Sequence, residues 1–155
     1  MVADIAAQLG RYDNICFLDD GGSPDALGKC EDFAKFDGEF YPAFGNNALR
    51  LDWLTRLSAI GKKVATIVHP TAYVSPTAVL GRGVTVLPHA AVGSFTKVLD
   101  GCIINMRATV DHNCTIGAGC HICLGAIVKA DNHLPDGIKI EAGQVVENRT
   151  YAEGK

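Results

Sequence analysis

The side chains best suited to move a proton near neutral pH are histidines, whose unperturbed pKa is about 6.5. The chain has five: His69, His89, His112, His121 and His133. His112 is flanked by Asp111 and Asn113, and either of these, or a backbone carbonyl, could hold the ring by one nitrogen. The other nitrogen would then be free to take a proton from a hydroxyl or an amine; the bland alternative for any one histidine is a solvated surface side chain. Two carboxylates, Asp19 and Asp20, follow an apolar run at 15–18, where ligands gather in doubly wound folds. A solvated turn would look the same. Gly45-Asn46-Asn47 is a weaker signal, since such a cluster also serves as an ordinary loop and helix start.

A repeat must position these groups. Counting by six from Val68 gives Val68, Val74, Leu80, Val86, Val92, Val98, Ile104, Val110, Ile116, Ile122, Val128, Leu134, Ile140 and Val146, all branched aliphatics. Four residues after each comes a mostly small one: Ala72, Ala78, Val84, Ala90, Thr96, Cys102, Ala108, Cys114, Cys120 and Ala126, before the rule loosens at Asn132, Ile138 and Gln144. A hexad is too short for a helix and has the wrong period for a plain strand, so it reads as one side of a prism. Three hexads close one coil, and residues eighteen apart then stack at the strand spacing of about 4.8 Å. The result is a parallel β-helix with three apolar columns. Within it His112 lies two positions beyond Val110 and His121 five beyond Ile116, so both point away from the core. Cys102, Cys114 and Cys120 fall at small-residue corners, which predicts buried structural thiols. Successive histidines are 20, 23, 9 and 12 residues apart. None matches the coil, so a metal site would need ligands from neighbouring subunits, and no metal ligand is assigned.

The first 66 residues follow different rules. Val2, Ile5, Ala6 and Leu9 have helical spacing, ended by Gly10. Strands are predicted at 15–18, at 39–44 (weakened by Pro42) and at 64–68. Between the last two, Leu49, Trp53, Leu54, Leu57 and Ile60 mark a helix with Asn46 or Asn47 as N-cap and Gly61 closing it. This is part of a small Rossmann-like α/β unit, truncated because a βαβ unit needs a strand and a turn before its first helix. Either the start is called too late or the strand is lacking; both leave an open sheet edge and a partial pocket. Two domains are therefore expected, 1–66 and 67–155. A net charge of -3 argues against a nucleic-acid partner. No apolar stretch approaches the roughly 20 residues of a membrane span and no signal-peptide pattern opens the sequence, so a soluble cytoplasmic protein is expected.

The aliphatic columns, Ile67-Val68-His69-Pro70 ahead of them and Val110-Asp111-His112-Asn113-Cys114-Thr115-Ile116-Gly117 within them resemble a known family. The chain is similar to the left-handed β-helix, hexapeptide-repeat acetyltransferases that act on sialic acids and UDP-amino sugars. That resemblance implies left-handedness, a Rossmann-like domain ahead of the β-helix, a homotrimer, acetyl-CoA as co-substrate and a sugar or nucleotide-sugar acceptor. It implies His112 as general base, with Asn113 where some members carry a glutamate that strengthens the base. It implies His121 and Ala142 at acetyl-CoA, and Asp19, Asp20 and Gly45 at the acceptor. The family's glycine-rich loop and last β-helix turns have no counterpart here, and residues 149–155 read as a polar tail. N- and O-transfer stay equally open. An inactive trimeric scaffold and a metal-dependent enzyme akin to the β-helix carbonic anhydrases are the rival functions.

Overall fold

The computed structural model describes residues 1–152. The hexads form a parallel β-solenoid whose strands are two residues long, the second residue pointing inward. Sheet I stacks Ile67–Val68, Thr85–Val86, Ile103–Ile104, His121–Ile122 and Lys139–Ile140. Sheet II stacks Tyr73–Val74, Ala91–Val92, Thr109–Val110, Ile127–Val128 and Val145–Val146, and sheet III Val79–Leu80, Lys97–Val98, Thr115–Ile116 and His133–Leu134. Every pair is parallel with a register of eighteen residues, as in Ile104 beside Ile122. From Val86 to Val146 each inward aliphatic is at most 4% exposed. The corner residues Ala90, Thr96, Cys102, Ala108, Cys114, Cys120 and Ala126 are buried with them. Asn132 breaks the small-corner rule without a polar penalty. Its amide donates to the Lys129 and Glu147 carbonyls and accepts from the Tyr151 N–H. The supposed polar tail is thus partly structural, since Tyr151 packs against the end of the core. Residues 153–155 of the second expected domain lie outside the described residues.

From residue 83 onward each corner is turned by one left-handed residue three beyond the inward aliphatic: His89, Phe95, Arg107, Asn113, Asp131 and Arg149 join six glycines there, while Thr71 and Thr77 at the first two corners are not left-handed. On the corner between sheets III and I that residue is glycine in every coil, at 83, 101, 119 and 137. Helix α2 (Asn47–Ala59) lies along this corner and explains the choice. A Cβ on Gly101 would meet Leu54 Cδ1 at 2.5 Å, and one on Gly119 would meet Leu51 Cδ1 at 2.6 Å. Asn46 caps the helix by accepting from the Leu49 N–H at 2.9 Å. Its buried face is Arg50, Trp53, Leu54 and Leu57, while Leu49 and Ile60 of the same apolar pattern are exposed. Arg50 is fully buried and donates to the Gly101, Gly119 and Phe44 carbonyls at 2.6, 2.9 and 2.8 Å and to Asn47 Oδ1. One guanidinium thereby ties the helix to two successive coils, using donors in a fork that matches fixed carbonyls.

Helix α1 (Val2–Gln8) covers the outer face of sheet I, with Ile5 and Ala6 against Ala65, Ile67 and Leu87. Between the helices, strands β1 (Phe17–Leu18) and β2 (Ala26–Gly28) pair in parallel, as do β3 (Glu39–Phe40) and β4 (Lys63–Val64). These are two separate two-stranded sheets rather than one Rossmann-like sheet. The strand expected over 39–44 stops at Phe40, ahead of Pro42, which has no N–H for a ladder. The strand expected over 64–68 is divided: 63–64 pairs with β3, and 67–68 is already the first rung of the solenoid.

Candidate functional site

His112 sits on the corner between sheets II and III, and the surrounding backbone is fixed from every side. Thr96, stacked one coil before Cys114, donates to the Asp111 carbonyl at 2.6 Å and accepts from the Cys114 N–H. The His112 N–H donates to Asp111 Oδ1 at 2.7 Å, and the Asn113 N–H to the Ser94 carbonyl. Gly93 is required beneath it, because a Cβ there would meet the His112 nitrogen at 2.8 Å. The His112 side chain is exposed, and among the described residues its ring makes no hydrogen bond. Asp111 holds the main chain of His112 instead of its ring. Asn113 takes the left-handed corner conformation with φ of 55° and reaches down the stack to Asp131, which also pairs with Arg149. Such a site is rigid in backbone, with an imidazole open to an incoming group.

His121 lies on sheet I, across the prism from the His112 corner, so one chain does not bring the two histidines together. It is half-buried, and its Nε2 accepts from Asn105 Nδ2 at 2.9 Å. Asn105 is oriented by its Oδ1, which accepts from the Met106 N–H. A hydrogen bond into Nε2 favours neutral imidazole and leaves the proton on Nδ1. Burial holds the His121 pKa below the ordinary histidine value, with the Arg50 and Lys139 charges adding to the effect. Ala142 occupies the adjacent corner between sheets I and II. It is exposed, and its N–H makes no hydrogen bond among the described residues. A neutral donor on His121 and a free backbone N–H at Ala142 therefore share one flank.

The N-terminal candidates are distributed over two hollows. Asp19 accepts from the Ser23 N–H and Asp20 from the Cys30 N–H, so both carboxylates shape the loop after β1. Asp19 also lines a cavity of about 910 Å³ between the two small sheets, whereas Gly45 lines a separate groove of about 580 Å³ with Asn47, Asp136 and Lys139. Arg50 and Asn105 were missed by sequence reasoning. Arg50 had a readable signal, because it stands three and four residues before Trp53 and Leu54 on their own helix face. Asn105 had none, since its role depends on a histidine in the next coil.

The cysteines are thiols. Cys102, Cys114, Cys120 and Cys123 are buried, Cys102 and Cys114 donating to the Gly117 and Lys129 carbonyls. The hydrogen bond with Cys120 and burial push the Cys102 thiol far up, as burial does for Cys114 and Cys123. Among the described residues no three His, Cys, Asp or Glu side chains converge to hold a metal ion, and no helix is long and apolar enough to cross a membrane.

No model of a known protein family matches the chain. Its fold is similar to the acetyltransferase domain of PglB from Neisseria gonorrhoeae FA1090, at 31% identity and a TM-score of 0.90, covering 96% of this chain and 77% of that one. The same domain in complex with acetyl coenzyme A matches with the same identity and TM-score, over 96% and 76% of the two chains. PerB from Caulobacter crescentus, in complex with CoA and GDP-perosamine, shares the fold at 18% identity with a TM-score of 0.77, over 98% and 85%. In sequence, the acyl-[acyl-carrier-protein]–UDP-N-acetylglucosamine O-acyltransferase of Chlamydia abortus is 33% identical over 63 residues, 41% of this chain. The chain spans only 23% of that relative's length.

Proposed function

The chain belongs to the hexapeptide-repeat, β-helix sugar acetyltransferases, and from that premise we propose that it transfers acetyl from acetyl-CoA to an amine or hydroxyl of a sugar or nucleotide sugar. The observation that carries this reading is His112, an exposed imidazole on a backbone fixed by Thr96, Asp111 and Ser94, in a scaffold similar to an acetyltransferase domain solved with acetyl coenzyme A. His112 accepts the proton of the acceptor's amine or hydroxyl as that atom bonds to the acetyl carbon and the C–S bond to CoA breaks. The proton then passes to the departing thiolate. General base catalysis of this kind contributes roughly 10² to 10⁴ in rate. His121, with Nδ1–H available, and the Ala142 N–H serve as donors on the acetyl-CoA side. Asp19, Asp20 and Gly45 bind the acceptor, in the N-terminal unit spanning 1–66, whose two short parallel sheets stand where a single Rossmann-like sheet was expected, ahead of the left-handed β-helix of 67–155. Asn113 contributes by holding the corner, since an amide supplies no charge to strengthen the base. The two histidines meet only if neighbouring chains complete the cleft, so the working form is a homotrimer, placed in the cytoplasm where acetyl-CoA is available.

The test is consumption of acetyl-CoA, followed by release of free thiol, across a panel of nucleotide amino sugars and sialic acids. We expect turnover with at least one acceptor and its loss in His112→Ala. Binding of sugars without any thiol release would instead identify a scaffold.

A further inference from the structure

The corner between sheets II and III carries one residue that its local chemistry does not explain. Phe95, one coil before Asn113, takes the left-handed conformation with φ of 59° and is 67% exposed, more than any other large apolar side chain among the described residues. A left-handed backbone sets Cβ against the following carbonyl oxygen, so glycine, asparagine and aspartate fill it most easily and a bulky apolar residue there is an outlier. Every other non-glycine residue that turns the solenoid in this conformation is polar. On this corner Asn113, Asp131 and Arg149 form a stack joined by a hydrogen bond and an ion pair. Phe95 has no part in it. Its N–H donates to Thr77 Oγ1 at 3.1 Å, and among the described residues its ring meets no other aromatic ring and no cation. Strain kept where the fold gains nothing from it marks a functional position.

The surroundings suit an uncharged sugar ring. In the two coils before His112 this corner consists of Ser75, Pro76, Thr77, Gly93, Ser94 and Phe95, none of them charged. Ser94 is stacked directly beneath His112, and its hydroxyl is linked to Ser75 Oγ at 3.2 Å and through it to Thr77 Oγ1 at 3.1 Å. A pyranose has hydroxyls at its rim and C–H groups on its faces, and those hydrogens are positive toward the negative face of an aromatic ring. The level along the solenoid decides between the two substrates. Counted from each strand of sheet I, His112 is in the third coil, and the groups assigned to acetyl-CoA, His121 and Ala142, are in the fourth and fifth. Phe95 is in the second, on the side of the base away from the cofactor.

We propose that Phe95 determines acceptor specificity: its ring is the platform on which a C–H face of the acceptor's sugar ring packs while the amine or hydroxyl of that sugar meets His112. The inference rests on the acetyl-transfer reading and adds to it a contact at the reacting end of the acceptor.

The test compares Phe95→Asn and Phe95→Tyr with the wild type on an acceptor that supports thiol release from acetyl-CoA. Asparagine fits this backbone, as Asn113 shows at φ of 55° in the next coil. Phe95→Asn should therefore melt no lower than the wild type, while the acceptor KM rises about tenfold and the acetyl-CoA KM stays within about twofold. Phe95→Tyr keeps the ring face and should hold the acceptor KM within about twofold of the wild type. An unchanged acceptor KM in Phe95→Asn, an equal rise for acetyl-CoA, a tenfold rise in Phe95→Tyr as well, or a lower melting temperature would each overturn the platform. So would dissociation of the Phe95→Asn assembly in native mass spectrometry, which would place the ring between chains instead. If the wild type releases no thiol with any acceptor of the panel, acetyl transfer itself fails, and Phe95 is judged by equilibrium binding of the same sugars. There, tenfold weaker binding by Phe95→Asn supports the platform; equal binding, or none by the wild type, overturns it.

Discussion

At the scale of single residues the solenoid gives His112 and His121 opposite environments. His112 stands on a corner open to solvent; His121 is half-buried and receives a hydrogen bond from Asn105. If His112 is the general base, His112→Ala should lower turnover at least about a hundredfold with an unchanged melting temperature. Wild-type turnover in that variant would remove it from the reaction. Asn105→Ala should raise the His121 pKa toward the ordinary value, as followed by NMR titration of the ring. The depressed value of His121 also has a sign in stability. The native state binds fewer protons than the unfolded chain between the two pKa values, so the full stability is present above about 6.5 and falls as pH drops through it. Denaturant unfolding from pH 7.5 to 5.5 should show a shallower acid-side loss in His121→Gln than in the wild type. An identical slope would mean that His121 is not held neutral by its surroundings. Sequence could place both rings outside the core, because the hexad count fixes which positions point inward. It could not see the Asn105 contact, which depends on two residues sixteen apart meeting across neighbouring coils.

At the scale of elements the solenoid was legible almost residue by residue, because a strict period leaves one register in which the aliphatic columns are buried. Placing an aspartate at Ile116, fully buried between Val98 and Leu134 in its column, should abolish folded protein, as an unpaired charge there costs several kcal/mol. A soluble Ile116→Asp protein that melts like the wild type would contradict the column. The packing of α2 was less legible, although glycine at 83, 101, 119 and 137 was a signal at the coil period. Gly101→Ala should cost about 2 to 4 kcal/mol, combining a left-handed backbone with a clash against Leu54. Arg50→Met should cost at least about 3 kcal/mol, since several buried carbonyls lose their donor. Chemical denaturation decides both, and a change below about 0.5 kcal/mol in either would mean that the helix is not clamped to that corner. The small strands were least legible. Their lengths depend on which edges find partners, and Pro42 and the division at 64–67 end them early.

At the scale of the whole molecule, sheets I, II and III meet at three corners, and each corner has its own task. The III–I corner carries α2, the II–III corner presents His112, and the I–II corner presents Ala142 beside Asn105 and His121. His112 and His121 are nine residues apart, half of an eighteen-residue coil, and the prism separates them. One acetyl transfer that needs both must draw them from two chains, and a ring of three prisms supplies that pairing three times. The most direct measurement is complementation. His112→Ala and His121→Ala chains, each nearly inactive as a pure assembly, are mixed under conditions that exchange subunits, and acetyl-CoA consumption is followed as mixed trimers form. Recovery of activity in proportion to mixed trimers is expected, because a cleft between a His112→Ala chain and a His121→Ala chain can retain both histidines. No recovery despite mixed trimers proven by native mass spectrometry, or full activity in a monomer, would contradict it.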